Sequence, residues 1–467
     1  MIDGLTPYTD RKDSGLPWLG EIPAHWDVRR NGRLFVQRNQ TGFPDLPILE
    51  VSLKTGVRVR DFENSNRKQV MADREKYKRA RQGDIAYNMM RMWQGAVGTS
   101  PVDGLVSPAY VVAKPLPETE SRYYKYLFRT GVYMDEVNKF SRGIVSDRNR
   151  LYWEDFKQMP SPYPPPEEQA AIVRFLDHAD RRIRRYIRAK RQLIALLNEQ
   201  KQAIIHRAVT RGLDPHVKLK PSGVEWLGDV PEHWEVRRNG FLFQERKEPG
   251  DPALPLLVVS LRTGVTVGDE VDERGRPKRL IENRASYRTV RKGDIAYNMM
   301  RLWQGAVGTA PVDGLVSPAY VVARSVAQID TRYFERLFRT PEYMAEVNRR
   351  SRGIVSDRNR CYWDDFKQLV SPVPPPDEQD NIVFFLDEHL KKTDAVMDGA
   401  RCEIDKFKEY RTRLIADVVT GKLDVREAAA ALPDELDAVE PDAEELLDED
   451  DTTDEVELDI EPEEVEA

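Results

Sequence analysis

Short runs of hydrophobic residues dominate the first part of the chain, and they predict strands. Runs rich in β-branched and aromatic residues occur at 46–53 (LPILEVSL), 84–88 (DIAYN) and 104–113 (GLVSPAYVVA). Such runs, bounded by turn-forming residues, are typical of short strands. By contrast, residues 121–138 show the three- and four-residue spacing of a helix. Residues 1–165 are therefore predicted to form a globular domain of the α+β class.

A long helix is predicted after the proline block PSPYPPPEEQ at 160–169. Proline suits the first position of a helix and acidic residues suit its first turn, so the helix should begin at Pro166. No Pro or Gly follows until Gly212, which suits the C-terminal cap. Apolar residues along this helix repeat in mostly three- and four-residue steps, as in a coiled coil. They are Ile172, Leu176, Ala179, Ile183, Ile187, Ile194, Leu197, Ile204 and Ala208.

The whole pattern occurs twice in the chain. Residues 81–114 match 291–324 at 30 of 34 positions, and 141–158 match 351–368 at 16 of 18. The proline block returns at 371–379 and opens a second helical stretch. The apolar stripe of that stretch comprises Ile382, Leu386, Val396, Ala400, Ile404, Phe407, Leu414 and Val418. Each copy is the size of a domain, so the duplication predicts a two-fold arrangement rather than a solenoid.

The predicted fold is α+β, with two similar globular domains separated by two long helices. Facing stripes in two halves related by a two-fold axis would pack as an antiparallel, coiled-coil-like pair. The predicted segments are a first domain at 1–165, a helix at 166–212, a second domain at 213–375, a helix at 376–422 and a tail at 423–467.

Charge separates the tail from the body. Residues 427–467 hold 20 acidic and no basic residues, and the rest of the chain has 72 basic and 59 acidic residues, a charge of +13. The tail is predicted to be disordered, because it cannot bury enough apolar surface to fold. A basic body favours a polyanion as partner. Neither a signal peptide nor an apolar run of ~20 residues occurs, so we expect a cytoplasmic protein without a membrane partner.

Catalytic motifs are not evident in the sequence. There is no GxxxxGK[ST] loop, no GxGxxG after a strand, and no HExxH or CxxC. The SPAY motif at 107–110 and 317–320 is similar to a methyltransferase signature but lacks its second proline, so a strand after a proline turn is preferred. His25 and His233 lie in a repeated P-x-H-W turn and are interpreted as structural. We therefore predict no catalytic residue, metal site or cofactor in this chain.

Polar residues cluster instead in duplicated turns. Arg, Asn and Gln are the side chains that pair with base edges, and glycine-containing loops expose N–H groups to phosphates. The predicted DNA-binding residues are Lys54, Asn88, Arg91, Trp93, Gln94, Arg142, Ser146, Arg148, Asn149, Arg262, Asn298, Arg301, Trp303, Gln304, Arg352, Ser356, Arg358 and Asn359. Two alternatives remain open: Met89, Met90 and Trp93 as core residues, and the polar residues as solvated or salt-bridged groups. The basic run at 181–191 is either a solvated helix face or a contact surface.

Three doubled motifs resemble the DNA specificity subunit of type I restriction–modification systems. They are WLGEIPAHWDVRR (18–30), the strand cassette at 81–98 and PPPEEQAAIVRFLD (164–177). The resemblance covers roughly residues 10–424. It implies two target-recognition domains that each read half of a split site on double-stranded DNA. It also implies that the chain is not an enzyme. The expected partners are two S-adenosylmethionine-dependent adenine methyltransferase subunits and two motor–nuclease subunits that use ATP and Mg²⁺.

The near-identity of the two halves is unusual for this family. It predicts a near-palindromic bipartite target, although the divergent stretches 57–80 and 265–290 could still read different bases. Two other functions remain as alternatives. One is a self-sufficient DNA methyltransferase or nuclease, and the other is a scaffold that binds only protein.

Overall fold

The computed structural model describes residues 5–60, 74–143, 149–268, 286–352 and 359–433. The chain divides into two compact units. Unit 1 comprises Met1–Arg191 together with Arg401–Ala467, and unit 2 comprises Gln192–Ala400. Each unit therefore contains one of the duplicated domains and a part of each long helix.

The elements of unit 1 alternate short strands with a few helices. Its strands are β1 (Arg11–Asp13), β2 (Glu21–Pro23), β3 (Asp27–Arg30), β4 (Phe35–Gln37), β5 (Leu49–Ser52), β6 (Gly56–Val59), β7 (Lys78–Ala80), β8 (Ile85–Asn88), β9 (Val97–Thr99), β10 (Gly104–Val106), β11 (Tyr110–Pro115) and β12 (Pro160–Tyr163). Its helices are α1 (Ser121–Phe128), α2 (Gly131–Phe140) and α3 (Trp153–Phe156), followed by α4 (Pro166–Arg211), which continues into unit 2.

Unit 2 repeats this order. Its strands are β13 (Leu219–Pro221), β14 (Asp229–Pro231), β15 (Glu235–Arg238), β16 (Phe243–Glu245), β17 (Leu257–Ser260), β18 (Gly264–Val267), β19 (Arg288–Val290), β20 (Ile295–Asn298), β21 (Val307–Thr309), β22 (Gly314–Val316), β23 (Tyr320–Ser325) and β24 (Val370–Val373). Its helices are α5 (Thr331–Phe338), α6 (Pro341–Arg350) and α7 (Trp363–Phe366), followed by α8 (Pro376–Val419), which continues into unit 1 and precedes α9 (Arg426–Ala430).

Each unit is organised around a four-stranded antiparallel sheet. The order is β4-β11-β8-β9 in unit 1 and β16-β23-β20-β21 in unit 2. The side chains of β8 alternate between two cores, as the pleat of a strand requires. Ile85 and Tyr87 face the main core with the helices, whereas Ala86 faces a smaller core under the β5–β6 hairpin. Burial on both faces explains why Ile85, Ala86 and Tyr87 follow one another without a polar residue between them.

Two predicted elements are each divided in two. The predicted strand 104–113 consists of β10 and β11, because the Tyr110 N–H donates to the carbonyl of Ser107 and closes a turn around Pro108. The predicted helix 121–138 consists of α1 and α2. Thr130 between them has an extended backbone, and its hydroxyl donates to the carbonyl of Leu127, which ends the first helix. The strand after SPAY is confirmed.

The long helices begin where the sequence predicts, at Pro166 and Pro376. In unit 1 the segments of α4 and α8 run antiparallel. In three contacts between them, the residue number increases along α4 while that of its partner decreases along α8. Asp180 pairs with Arg411, Tyr186 stacks on Phe407 at 5.6 Å between ring centroids, and Lys190 pairs with Glu403 at 2.8 Å. These contacts fix the register of the two segments.

The Asp180 carboxylate is the most buried charge in this helix contact. Burial alone would raise the pKa of Asp180, but the guanidinium groups of Arg411 and Arg184 outweigh burial and hold the pKa below its ordinary value. The predicted stripe of α8 is wrong at one position. Val396 is 53% exposed and Met397 is buried in its place, because Met397 lies one heptad from each of the buried residues Leu390 and Ile404.

One tryptophan in each unit contacts the start of one long helix and the end of the other. Trp26 donates its indole N–H to Glu168 in the first turn of α4, at 3.0 Å. The same ring lies against Gly421, which follows α8 and has a φ of 74°. A Cβ at Gly421 would come within 3.0 Å of the ring, so glycine is required there for space as well as for backbone conformation. In unit 2, Trp234 contacts Glu378 and Gly212 in the same way.

The repeated histidines belong to the same anchor. His25 contacts Glu168 at 2.7 Å and His233 contacts Glu378 at 2.7 Å, so both have the structural partners expected of them. Tyr8 also donates to Glu168. Tyr8 therefore gives unit 1 a third donor to this carboxylate.

The predicted start of the disordered tail at 423 is wrong. Residues 424–430 pack on unit 1, where Val425 and Ala429 are buried in its core and the Asp424 N–H donates to the carbonyl of Thr6. Val425 and Ala429 pack because unit 1 offers an apolar surface at this point, and the burial offsets the entropy lost in ordering the segment. The remainder of the tail, 434–467, lies outside the described residues.

Among the described helices, none is long and apolar enough to cross a bilayer.

We predict that Glu168→Ala destabilises unit 1 more than Glu378→Ala destabilises unit 2. The Glu168 side chain is 5% exposed and accepts from three donors, whereas Glu378 is 28% exposed. Each buried donor left unpaired costs about 1–3 kcal/mol, so we expect a loss of about 3 kcal/mol for Glu168 and about 1 kcal/mol for Glu378. Hydrogen exchange of peptides from each unit measures the two losses, and equal losses would contradict the anchor described here.

Candidate nucleic-acid interface

The duplicated cassette forms a strand, a tight turn and a second strand. After β8, the Asn88 Oδ1 accepts from the N–H of Met90 at 2.9 Å, and the Trp93 Nε1–H donates to the carbonyl of Met90 at 2.9 Å. A 3-10 turn, Met92–Gln94, then leads through Gly95 into β9. Unit 2 repeats both bonds through Asn298 and Trp303, again at 2.9 Å. Asn88 therefore shapes the turn with its side-chain oxygen.

The two interpretations of this turn apply to different residues. Met92 is fully buried and Met89 and Trp93 pack partly against the core, so the apolar residues hold the turn in place. Arg91 is half-buried, and Gln94 is exposed. Gln94 thus reaches the surface in unit 1, and in unit 2 both Arg301 and Gln304 are exposed.

A second predicted loop joins this turn. Arg142 and Arg150 exchange two backbone hydrogen bonds of 2.9 Å at the base of the loop. The next residue, Leu151, donates its N–H to the carbonyl of Met89 at 2.8 Å. In unit 2, Cys361 donates to Met299 at 2.9 Å. The two clusters that the sequence singled out separately are therefore adjacent in each unit.

Side-chain partners change the interpretation of this loop. Arg142 pairs with Asp155, and Arg352 pairs with Asp365 at 2.8 Å, so each arginine has an internal carboxylate partner. Asn149 donates to Asn138 at 3.0 Å, and Asn359 repeats this contact. These four residues hold the base of the loop, in agreement with the salt-bridged alternative. Four further predicted residues lie outside the described part of the chain: Ser146, Arg148, Ser356 and Arg358.

The β5–β6 hairpin brings Lys54 to the same place. Arg129, which the sequence reasoning missed, donates to the carbonyls of Leu53 and Lys54 at 2.5 and 2.7 Å and to that of Val97 at 3.2 Å. One guanidinium thus joins the hairpin turn to the cassette. Gly98 allows this contact, because a Cβ there would lie 2.6 Å from the backbone nitrogen of Val57.

Unit 2 contains the same clamp. Arg339 donates to the carbonyls of Leu261, Arg262 and Val307 at 2.6, 2.9 and 3.3 Å, and burial lowers its pKa. Lys54 and Arg262 themselves are exposed. The repeated LFRT sequence at 127–130 and 337–340 was the available signal for the clamp. We call the three joined turns of each unit the turn cluster: 52–55, 88–95 and 149–151 in unit 1, and 260–263, 298–305 and 359–361 in unit 2.

The SPAY tyrosines line the turn cluster as well. Tyr110 pairs with Asn88 across β11 and β8, and Tyr320 pairs with Asn298 in unit 2. Burial raises the pKa of Tyr320, although the nearby charge of Arg301 opposes this effect. The phenol is therefore a neutral hydroxyl beside an arginine at physiological pH.

The support behind the SPAY turn differs between the units. In unit 1 the Lys78 ammonium donates to the carbonyls of Pro108 and Tyr110, both at 2.8 Å, and burial lowers the pKa of Lys78. Its counterpart Arg288 instead pairs with Glu245 at 3.1 Å. The turn clusters thus share their geometry, but the groups behind them are not identical.

Comparisons with known proteins agree with the resemblance seen in the motifs. No family model matches the chain. A curated relative from Methanocaldococcus jannaschii, named "Putative type I restriction enzyme MjaX specificity subunit", is 21% identical over 436 residues, which cover 87% of this chain and 96% of the relative.

Two solved structures are also similar. A chain from a structure on complex assembly and conformational transition of the type I R-M system has a TM-score of 0.60 at 16% identity, covering 85% of this chain and 98% of that one. The HsdS subunit from Thermoanaerobacter tengcongensis has a TM-score of 0.48 at 17% identity, covering 86% and 98%.

The chain thus resembles specificity subunits of type I restriction–modification systems along most of its length. The structure with a TM-score of 0.60 shows that the mixed helix-and-sheet fold is shared. Both findings confirm the resemblance that the doubled motifs indicated.

We predict that Arg129→Ala loosens the β5–β6 hairpin without unfolding unit 1. Loss of the clamp leaves three carbonyls without their charged donor, a local cost of about 1–3 kcal/mol. Hydrogen exchange should accelerate in peptides that span 49–59, while peptides that span 257–267 in unit 2 stay unchanged. Arg122→Ala, which removes an exposed pair with Asp177, serves as the matched control. An unchanged hairpin in Arg129→Ala would show that the clamp does not hold it.

Proposed function

We propose that this chain is the DNA specificity subunit of a type I restriction–modification system and has no catalytic role of its own. The observation that carries the proposal is the duplicated turn cluster on a fold shared with the type I R-M system. In each unit it gathers a basic residue on a hairpin, an Arg and a Gln after a strand, and the end of a second loop. Arg and Gln match base edges, and the exposed Lys54 and Arg262 match phosphates, so the cluster has the groups for both kinds of contact.

The target follows from the duplication. We infer that the two domains read a bipartite, near-palindromic site on double-stranded DNA, because their turn clusters repeat most residues and the hydrogen bonds that shape the turns. We further infer that α4 and α8 form an antiparallel spacer with pseudo-two-fold symmetry between the domains. The antiparallel register of the segments within unit 1 supports this arrangement.

The chemistry belongs to partners in this proposal. Two methyltransferase subunits would supply adenine methylation with S-adenosylmethionine, and two motor–nuclease subunits would supply ATP- and Mg²⁺-dependent cleavage. The exposed polar face of the described parts of α4 and α8 is available for such partners. The relative's name describes a specificity subunit of a type I restriction enzyme, which supports partners of this class.

Methylation mapping tests the proposal. We expect cells that express this chain with its methyltransferase to carry N6-methyladenine in two similar, inverted half-sites with a fixed spacer. Two unrelated half-sites would contradict the near-palindrome but not the specificity role. Methylation by the purified chain alone would instead establish the self-sufficient enzyme. If the complex with methyltransferase failed to shift any DNA, the protein-only scaffold would be the remaining function.

We predict that Arg91→Ala weakens and relaxes recognition at one half-site only. Loss of a base contact should cost about 1–3 kcal/mol and admit other bases at that position. Arg301→Ala should do the same at the other half-site. Arg122→Ala is the control, since Arg122 lies on α1 and pairs with Asp177. An equal loss on every sequence would make Arg91 a phosphate contact rather than a reader of bases.

A further inference from the structure

A row of arginines follows one face of α4 in unit 1. Arg174, Arg181, Arg185 and Arg188 are separated by seven, four and three residues, a spacing that places them on one side of a helix. We call this row the arginine stripe. Arg185 is exposed, and the other three are half-exposed. Within the described residues, no carboxylate pairs with Arg181 or Arg185.

The stripe is distinct from the contact between the long helices. Arg184 pairs with Asp180 at 2.8 Å, and Lys190 pairs with Glu403 at 2.8 Å, so these cations lie beside acidic partners. Lys190 lies two positions after Arg188 and is rotated from it by about 200°, so the stripe does not face the Lys190–Glu403 pair. Arg184 lies between the two sides, because it is three residues after Arg181 and four before Arg188.

The acidic tail leaves the described structure at one end of the stripe. Helix α9 is held by the burial of Val425 and Ala429. After it, the Arg174 guanidinium donates to the carbonyls of Leu432 and Pro433 at 2.6 and 3.3 Å. The described chain consequently ends, at Pro433, beside the first member of the stripe.

Length and charge both suit the stripe. Residues 434–467 contain 19 acidic and no basic residues. From Arg174 to Arg188 the helix rises by about 21 Å, at ~1.5 Å per residue. An extended chain covers that length in about seven residues, so the first quarter of the tail is sufficient.

The duplication supplies an internal comparison. On α8, the positions equivalent to the stripe are Phe384, Lys391, Ala395 and Asp398, which carry no net charge. Unit 2 has neither an acidic tail nor an arginine stripe. The stripe and the tail thus occur together in one half of a chain whose two halves are otherwise near copies.

We propose that residues 434–467 dock along the arginine stripe of α4 and shield it from other polyanions. A consequence, which rests on the proposed function, is that the tail limits the attraction of this helix for DNA phosphates away from the target site. The tail would then suppress non-specific binding while the turn clusters remain open.

Fluorescence energy transfer in the full chain tests the docking. Cys402 is exposed on α8 beside Glu403 and near the far end of the stripe, and Val439→Cys places a second dye six residues after Pro433. Cys361 is buried and should stay unlabelled. We expect high transfer at low salt, and a fall in about 1 M salt, where the Debye length is ~3 Å.

Charge reversal tests whether docking depends on the arginine stripe rather than on the overall charge of the chain. In the chain with Arg181→Glu and Arg185→Glu, transfer at low salt should fall to the value that the unaltered stripe gives in high salt. Lys391→Glu with Lys392→Glu, on exposed positions of α8, is the matched control and should leave transfer high. Equal transfer in the stripe variant and the control would overturn the proposal.

A second measurement examines the consequence for DNA. Ending the chain at Pro433 should strengthen binding to random duplex and steepen the plot of log affinity against log salt by about 2–3, near 0.9 for each uncovered phosphate contact. The stripe variant should abolish this gain. A chain whose transfer depends on the stripe but which binds no DNA would retain the docking and contradict the proposed function. Salt-independent transfer would contradict the docking itself.

Discussion

The contact between a buried tryptophan and a glutamate in the first turn of a long helix organises each unit. Trp26 donates to Glu168, and Trp234 donates to Glu378. The carboxylate satisfies the indole and also lies at the positive end of the helix dipole, so one group stabilises both. Each ring also lies against the glycine that follows the other long helix. The start of one helix and the end of the other are thereby fixed on the same domain.

The sheet and the turn cluster of each unit are built next to this anchor. The sheet next to it is buried on both faces, and the turn at 88–95 joins two of its strands, β8 and β9. The Arg129 clamp and the Leu151–Met89 hydrogen bond then join three separate turns into one cluster. The buried sheet and the arginine clamp together fix the positions of the polar residues in the turns. The loops therefore rest on a rigid scaffold.

Several differences between the halves, among the described residues, lie in what supports or surrounds this surface. Lys78 holds two carbonyls in unit 1, whereas Arg288 pairs with a carboxylate in unit 2. Tyr8 adds a third donor to Glu168, and α9 covers part of unit 1. Duplication has preserved the turn cluster while the ends of the chain acquired features of their own, among them the arginine stripe beside the acidic tail.

The sequence by itself determined the duplication, the starts of both long helices and the polar character of the cassette. Proline at a helix start, the hydrophobic period and repeated motifs are local signals. They can be read without knowing which distant residues come into contact. Only the tertiary structure decided that Arg142 pairs with Asp155, that Arg129 clamps the hairpin, and that residues 424–430 pack instead of remaining disordered. Each of these contacts depends on a partner that is distant in sequence. The residues around a charge or a short apolar segment do not indicate which distant group will pair with it or cover it.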